Sequence, residues 1–251
     1  MTEIIASKEN KTVKLAASLK HKKYRDKTGL FIAEGEKILR EIPESALERL
    51  IVSESRAGER GANCPATIVS DGIFAGLSNS QTPQGRLALC RKLNYSLEDF
   101  SDCFIIMCEN LRDPGNLGTI MRTARALGAG GLILLKGSAD AYNPKTVQAA
   151  AGAHFALPFL ENAGLTEVIR RLKTAGWRIA AAVSSGGIAP READFTGKIA
   201  IMIGNEGAGL TRAALEAADF SAGIPMKNGA DSLNAAVSAA ILMYEAVRRG
   251  E

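Results

Sequence analysis

Three short segments in the C-terminal half of the chain combine the residue types that could bind and orient a ligand. They span residues 110–124 (NLRDPGNLGTIMRTA), 203–210 (IGNEGAGL) and 224–237 (IPMKNGADSLNAAV). Each joins glycine, asparagine and a charged residue to the end of an apolar stretch. This combination is typical of the carboxyl edge of a parallel sheet, where α/β proteins bind their ligands. The three segments therefore predict one composite ligand site.

The first segment begins a helix, predicted over 114–127, whose polar face carries arginine. Asp113 suits the helix cap and Pro114 the first helical position. The apolar positions form a single stripe: Leu117, Ile120, Met121, Ala124 and Leu127. Arg122 and Arg125 fall outside that stripe. Gly115 and Gly118 keep the first turn narrow, so a phosphodiester can approach the helix N-terminus, which attracts anions. Taken alone, however, the pattern is better explained as an amphipathic helix with two surface arginines.

The second segment is a glycine-rich loop between an apolar run and a helix. Glycine is common in any such turn, so the loop alone does not identify a ligand. The order Gly204-x-x-Gly207-x-Gly209 is the reverse of the dinucleotide-binding fingerprint, and the chain has no Gly-Lys-Ser/Thr phosphate loop. Both observations disfavour a nucleotide-dependent enzyme such as an oxidoreductase.

The third segment leads into the last predicted helix, which runs from Ser232 to Arg249 and carries apolar residues on one face (Leu233, Val237, Ile241 and Tyr244). Ser232 suits the N-cap position. Capping does not explain Asn234 in the first turn, nor Pro225 and Met226 upstream. The segment therefore predicts more than the start of a helix.

The elements around these segments predict a doubly wound α/β domain. Four unbroken apolar runs, at 103–107, 131–135, 178–183 and 198–203, suit strands that are buried on both faces of a parallel sheet. Further helices are predicted between these runs, at 144–151, 165–175 and 211–218. Alternating strands and helices indicate βαβ units.

The first half of the chain predicts a smaller mixed domain. Helices are expected over about 8–22 and through Leu39 and Ile42, and strands at 30–33, 50–52, 67–69 and 86–90. Polar residues 92–102 form a plausible linker. The predicted domains are therefore 1–97 and 103–251.

Positive charge is concentrated near the N-terminus. Residues 1–27 hold eight of the 31 lysines and arginines, but only three of the 27 acidic residues, in a chain of net charge +4. A basic segment on a nearly neutral body favours a polyanionic partner. A solvated helix face explains the charge equally well.

Composition argues against several other classes of protein. No apolar run approaches the roughly 20 residues that span a bilayer, and the N-terminus lacks a signal-peptide pattern, so a cytoplasmic protein is expected. The four cysteines form no Cys-x-x-Cys pair, and there are only two histidines, so no metal site is expected. Aromatic residues make up only 5%, which disfavours extended base-stacking platforms.

In this order, the three segments resemble the motifs of the SpoU–TrmH group of RNA ribose 2′-O-methyltransferases, within the SPOUT superfamily. The resemblance covers roughly residues 104–249. It implies methyl transfer from S-adenosylmethionine to a ribose 2′-hydroxyl. The catalytic residues that it implies are Arg122, Asn116, Glu206, Ser232 and Asn234. The implied cofactor-binding residues are Val183, Gly204, Asn205, Gly207, Ile224, Met226, Ser232 and Leu233.

The N-terminal pattern is similar to the L30e-like RNA-recognition domain found in many members of the group. The matching residues are Asn10, Val13, Lys14, Leu19, Lys23, Arg25 and the run Phe31–Gly35. The RNA-binding residues expected across both domains are Lys14, Lys20, Lys23, Arg25, Arg112 and Arg125. The resemblance thus implies a SPOUT domain, a mostly parallel sheet with a deep C-terminal trefoil knot, preceded by a smaller L30e-like α/β domain. It also implies a homodimer formed through the C-terminal domain.

Gln148 and Ala150 depart from the group, which often has arginine and serine at these positions. This departure removes a charge and a hydroxyl from a region of local RNA contacts. Ribosomal RNA is favoured over transfer RNA, because the L30e-like domain is commoner among the ribosomal RNA enzymes of the group. A non-catalytic RNA-binding protein on the same fold is a further alternative, opposed by the intact motif residues.

Overall fold

The computed structural model describes residues 4–59, 65–227 and 231–250. Sequence predictions that involve Glu3, Cys64 and residues 228–230 lie outside these ranges. The chain divides into two compact units, Met1–Leu93 with Tyr142–Phe155, and Asn94–Ala141 with Ala156–Glu251. We refer to them as the N-terminal and the C-terminal unit.

The strands in chain order are β1 (Ile4–Ile5), β2 (Leu30–Glu34), β3 (Leu47–Ser53), β4 (Ala66–Val69), β5 (Arg86–Arg91), β6 (Phe104–Cys108), β7 (Gly131–Leu135), β8 (Phe159–Ala163), β9 (Arg178–Val183), β10 (Ile199–Ile203) and β11 (Phe220–Gly223). The helices are α1 (Lys11–Ser18), α2 (Lys22–Thr28), α3 (Glu36–Leu39), α4 (Asp71–Leu77), α5 (Pro114–Ala126), α6 (Pro144–Ala150), α7 (Leu165–Thr174), α8 (Arg212–Ala217) and α9 (Ala235–Gly250). No helix in the described part of the chain is long and apolar enough to cross a membrane.

The N-terminal unit is built on a mixed sheet with the strand order β1-β4-β3-β5-β2. Strands β2 and β3 pair antiparallel with β5, whereas β1 and β3 pair parallel with β4. Helices α1 and α4 bury their apolar residues in one core with side chains of the sheet. Helix α6 contacts β2, and the segment around it belongs to this unit although it follows the predicted linker in sequence.

The helix predicted over residues 8–22 is shorter than expected, since α1 covers only Lys11–Ser18, and a second helix that was not predicted, α2, begins at Lys22. Asn10 caps α1 with its side-chain oxygen, and the chain turns before α2 begins. The buried guanidinium of Arg25 holds this turn, because it donates to the backbone carbonyls of Leu19 and Lys20 at 2.7 and 2.9 Å. A buried charge must be hydrogen-bonded, and the carbonyls of this turn supply the acceptors that the Arg25 guanidinium needs.

The C-terminal unit contains the predicted parallel sheet, with six strands in the order β11-β9-β10-β6-β7-β8. All its strand pairs are parallel. Every residue of β6, β7 and β10 is buried. Alternate side chains of the sheet pack with α7 and α8 on one face, and α5 and α9 contact the sheet and each other. Successive side chains of a strand point to opposite faces of the sheet, and helices cover both faces. Every position of these strands is therefore buried, which explains the unbroken apolar runs.

Several details of the sequence prediction were wrong or missing. Strands β1, β8 and β11 and helix α4 were not predicted; β1 has only two residues, and β8 and β11 lack a continuous apolar run. Helix α3 ends at Leu39 rather than continuing through Ile42. The last helix begins at Ala235, and Ser232 is not its cap. Asn234 takes that place, since its side-chain oxygen accepts from the N–H groups of the next turn at 2.9 and 3.3 Å.

Candidate active site

Side chains from all three motif segments meet at the carboxyl edge of the six-stranded sheet. The side-chain nitrogen of Asn116 donates to Glu206 Oε1 at 3.1 Å, and that of Asn234 donates to Asn116 Oδ1 at 2.9 Å. Asn116 lies in the first turn of α5, Glu206 follows β10, and Asn234 caps α9. The row Glu206–Asn116–Asn234 therefore fixes both amide orientations. Each amide keeps one N–H that donates to no described residue.

Glu206 is the acceptor at the end of this row. Partial burial acts to raise its pKa, but hydrogen bonds from its own backbone, Asn116, Asp113 and Arg112 outweigh the burial and lower the pKa below its ordinary value. The backbone N–H groups of Asp113 and Arg112 donate to the two carboxylate oxygens at 3.2 and 3.4 Å. Glu206 thus ties the loop after β10 to the start of α5.

Helix α5 begins as the sequence predicts and leaves its arginine exposed. Asp113 accepts from the Asn116 N–H at 2.7 Å, and Pro114 occupies the first turn. The apolar stripe is buried, apart from Leu127, which follows the helix and is partly exposed. Arg122 lies on the exposed face, and its side chain forms no hydrogen bond or ion pair with any described residue. Its guanidinium is therefore available to a ligand, although the structure does not bring it into the row.

The glycine-rich segment Gly204–Leu210, which we call the cofactor loop, is a closed turn. Asn205 and Gly209 exchange two backbone hydrogen bonds, of 3.0 and 2.9 Å. The side chain of Asn205 accepts from the N–H groups of Gly207 and Ala208. A Cβ on Gly204 would lie 2.3 Å from the backbone carbon of Gly209, so this close approach requires glycine.

A cavity of about 480 Å³ lies against the cofactor loop. This volume is within the range of about 300–1,000 Å³ that is usual for small-molecule sites. Every residue that the sequence implied as cofactor-binding lines it: Val183, Gly204, Asn205, Gly207, Ile224, Met226, Ser232 and Leu233. Glu206 lines it as well. The row and the cavity are therefore adjacent.

The cavity also has lining residues that the sequence analysis missed. Ser184 and Ser185 follow β9, and Leu215 and Leu242 come from α8 and α9. The Ser-Ser-Gly-Gly run after an apolar strand is a signal of the same kind as the three segments and could have revealed the first two. A separate cavity of about 470 Å³ around Trp177 contains no residue of the three segments.

The residues expected to bind RNA occupy different environments. Arg25 is buried in the turn described above, and Lys20 donates to the carbonyls of Gly76 and Ser78 at the end of α4. Lys14 pairs with Glu9. These three side chains are thus engaged within the N-terminal unit. The structure gives Arg25 a structural position, contrary to its expected exposure on an RNA-binding face.

The remaining predicted contacts are more accessible. Lys23 is exposed on α2, and its amine has no partner among the described residues. Arg112 is exposed beside Glu206, and Arg125 is partly exposed on α5. A buried arginine and a surface arginine look alike in a basic sequence, which is why the pattern did not separate them.

A parallel sheet with three polar segments and a cavity at its carboxyl edge defines a ligand-binding α/β domain. The chain belongs to the SpoU rRNA methylase family, whose model matches residues 103–244. Residues 10–88 match the model of the MRM3-like substrate binding domain. Both the fold class and the family expected from the sequence are confirmed.

Relatives match almost the entire chain. The chain is 35% identical over 246 residues to a 23S rRNA (guanosine(2553)-2′-O)-methyltransferase of Bacillus subtilis, covering 96% of this chain and 97% of the relative. A crystal structure of an AdoMet-bound rRNA methyltransferase from Sinorhizobium meliloti is similar, with 29% identity, 98% of each chain covered and a TM-score of 0.86. An RNA 2′-O ribose methyltransferase structure matches with 33% identity, 98% and 99% coverage and a TM-score of 0.83.

The cavity suits S-adenosylmethionine, the cofactor of the family. The backbone N–H groups of Ile224 and Leu233 donate to no described residue, so they are available to an adenine. Met226 and Leu242 supply apolar lining, whereas Asn205 and Ser232 supply polar groups. Polar and apolar groups thus contribute in comparable amounts to the lining, and oriented polar groups are what fix a cofactor's position in such a site.

Proposed function

We propose that the protein transfers a methyl group from S-adenosylmethionine to a ribose 2′-oxygen of 23S ribosomal RNA. The observation that carries this proposal is the Glu206–Asn116–Asn234 row beside the cavity. It joins all three family segments into one site. The whole-length relative from Bacillus subtilis supports the choice of 23S rRNA.

The two asparagines orient the ribose. The N–H that each amide keeps free can donate to the 2′-oxygen, where it stabilises the negative charge that develops as the hydroxyl loses its proton. Ser232, two residues before Asn234 in the sequence, lines the cavity and contributes a hydroxyl. Bound S-adenosylmethionine would supply the methyl group from its sulfonium sulfur and be left as S-adenosylhomocysteine, with the hydroxyl proton passing to water. Catalysis is then mainly alignment of the acceptor oxygen with that methyl group.

Arg122 binds the RNA phosphate and thereby steers the ribose. An arginine is effectively always protonated, and its planar fork suits a phosphate. Its exposed position on α5, without a partner among the described residues, leaves the fork free for this contact. Arg112 and Arg125 extend the positive charge along the same segment.

The N-terminal unit binds the RNA, with residues 1–97 as the proposed binding domain. The match of residues 10–88 to a substrate binding domain supports this role. Lys23 provides an exposed, unpaired charge within the described part of α2. A cytoplasmic location is part of the proposal, supported by the similarity to a bacterial 23S rRNA methyltransferase.

A homodimer formed through α5 and α9 is part of the proposal. Val237 and Tyr244 are 48% and 58% exposed. They line a shallow apolar cavity of about 370 Å³ together with Thr119, Thr123, Ala236, Ala240 and Ile241. Contiguous exposed apolar surface marks interaction sites. Light scattering tests the dimer: Val237→Asp is expected to give a monomer, and Tyr24→Asp, in the N-terminal unit, is the control.

The trefoil knot is also proposed. The chain leaves β11 at one edge of the sheet, lines the cavity with Ile224, Met226 and residues 231–233, and contacts α5 as α9. This return path is the part of the chain that the knot involves in the family.

The activity is tested by mapping 2′-O-methyl groups in the RNA of a deletion strain and its parent. One ribose of 23S rRNA is expected to lose its methyl group, and the purified protein is expected to restore it with S-adenosylmethionine. Restoration in transfer RNA instead would support the alternative substrate. RNA binding without methyl transfer would support the non-catalytic alternative.

A further inference from the structure

Glu109 is a buried acidic residue that the proposed reaction leaves without a role. It directly follows β6, and only 5% of its surface is exposed. Its Oε2 accepts from the Thr211 backbone N–H, and its Oε1 accepts from the Thr211 hydroxyl, both at 2.8 Å. Both oxygens of one buried carboxyl thus bind a single residue, which fixes the position of that residue.

Thr211 is the residue at which the cofactor loop ends. It directly follows Leu210, and its hydroxyl also accepts from the Ala214 N–H at 3.2 Å, which caps α8. At the other end of the loop, the Glu109 N–H donates to the carbonyl of Ile203 at 2.8 Å. Glu109 therefore contacts the chain on both sides of the cofactor loop, through its backbone before the loop and through its side chain after it.

The loop between these two contacts is rich in glycine, so its conformation depends on such anchors. Glycine has the widest choice of backbone conformations, and Gly204, Gly207 and Gly209 lie within this short segment. One more anchor comes from the neighbour of Glu109, since the Asn110 carbonyl accepts from the Asn205 side chain at 2.9 Å.

We propose that Glu109 is a positioning residue that holds the cofactor loop in its binding conformation. The proposal rests on the proposed function, because it takes the cavity as the S-adenosylmethionine site. Within the described residues neither Glu109 nor Thr211 lines that cavity, so Glu109 acts through the loop rather than on the cofactor. The apparent affinity for the cofactor is the intrinsic affinity multiplied by the fraction of molecules whose loop is in the binding conformation, so it falls when that fraction falls.

The test compares Glu109→Gln with a matched buried acid in the other unit. Glu34 is also 5% exposed, and its carboxylate accepts from the Ser78 hydroxyl and from the Asn79 N–H. Calorimetry with S-adenosylmethionine, well below the melting temperature, is expected to give Glu109→Gln a lower affinity, by up to about tenfold, the limit reached when the loss of one hydrogen bond to a charged group leaves the binding conformation in the minority. Glu34→Gln is expected to keep the parental affinity for S-adenosylmethionine, and Glu109→Gln is expected to keep the parental RNA affinity.

Thr211 provides an independent arm, which also serves if Glu109→Gln does not fold. Thr211→Val removes the hydroxyl and keeps the backbone donor, so its affinity is expected to fall, whereas Thr211→Ser is expected to bind as the parent does. The effects of Glu109→Gln and Thr211→Val are expected to be less than additive, because both remove one contact.

Several results would overturn the proposal. Parental cofactor affinity in both Glu109→Gln and Thr211→Val is one of them. An equal loss in Glu34→Gln is another, because it would reveal a general effect of destabilisation. Parental protein that binds no S-adenosylmethionine would overturn the proposed function as well, and this measurement precedes every variant.

Discussion

The side chain of Asn234 donates a hydrogen bond of 2.9 Å to that of Asn116, a residue 118 positions earlier in the chain. The same Asn234 caps α9 with its side-chain oxygen. One amide group therefore starts a helix and completes the site, and the two roles can be separated by substitution.

Asn234→Asp is expected to keep the helix cap and lose methyl transfer, because a carboxylate accepts the capping hydrogen bonds but cannot donate to Asn116. Asn234→Ala is expected to lose both, with a destabilisation of about 1 kcal/mol. Thermal unfolding measures the cap, and a methyl-transfer assay measures the site. Full activity in Asn234→Asp would show that the bond to Asn116 is dispensable.

Arg122→Ala is expected to reduce methyl transfer by about 100-fold or more, since the proposed alignment of the ribose depends on its fork. Its melting temperature and cofactor affinity should stay at parental values, because the side chain is exposed and without a partner among the described residues. Arg122→Lys is expected to be poor as well, as a point charge does not replace a planar fork. Arg170→Ala, on α7, is the control. Near-normal turnover of Arg122→Ala would remove this residue from the catalytic set.

Gly204→Val is expected to abolish S-adenosylmethionine binding in calorimetry. A Cβ at this position meets the backbone of Gly209 and Leu210 at 2.3 and 2.4 Å, so the cofactor loop cannot close. Gly164→Val is the matched control, since a Cβ there has no neighbour within 4 Å. Leu233→Ala is expected to weaken binding less, because its backbone N–H remains. Undiminished binding by Gly204→Val would place the cofactor elsewhere.

Replacing Lys23 and Lys27 by alanine is expected to weaken RNA binding and to flatten its salt dependence. Both amines are exposed on α2 and have no partner in the described ranges. The slope of log affinity against log salt should fall by about 0.7–0.9 for each lysine that contacts a phosphate. Lys20→Ala removes hydrogen bonds to the end of α4, so it is expected to lower the stability of the fold. Its effect on the salt slope of RNA binding is expected to be smaller than that of the double variant. An unchanged slope in the double variant would leave α2 as a solvated helix face.

Asp26 is expected to contribute stability that disappears in acid. Hydrogen bonds from Lys22 and Lys92, each 2.8 Å long, hold its pKa at about 2, below the ordinary 3.8. A lowered pKa stabilises the folded state above about pH 4, and the contribution is lost as the pH falls from 4 to 2. Since the Asp26 side chain is half-exposed, its two ion pairs should together contribute less than about 1 kcal/mol to the free energy of unfolding. Urea unfolding of Asp26→Asn and the parent should differ at pH 6 and converge near pH 2; a constant difference would contradict the assignment.

The strands and helices of the C-terminal unit were largely predictable, because β6, β7, β9 and β10 are buried on both faces and therefore appear as apolar runs. The motif residues were predictable because three segments matched one family in order. The fold class could thus be obtained from local patterns and family resemblance.

The remaining features depend on contacts between residues that are distant in sequence. Ser232 and Asn234 both suit a helix cap by residue type, and only the structure shows that the helix begins at Ala235 with Asn234 as its cap. Arg25 resembles its basic neighbours until the turn closes around it. The grouping of residues 142–155 with the N-terminal unit depends on packing against β2, which no local pattern reveals.

The position of β10 also affects how the chain folds. Ile199 at the start of β10 pairs with Phe104 of β6 on one side and with Arg178 of β9 on the other. Until β10 inserts between them, two apolar strands have unpaired edges that can join other chains. Contacts between such distant residues also close slowly. Refolding of this protein is therefore expected to be slow and sensitive to concentration, with aggregation competing until the central strand is in place.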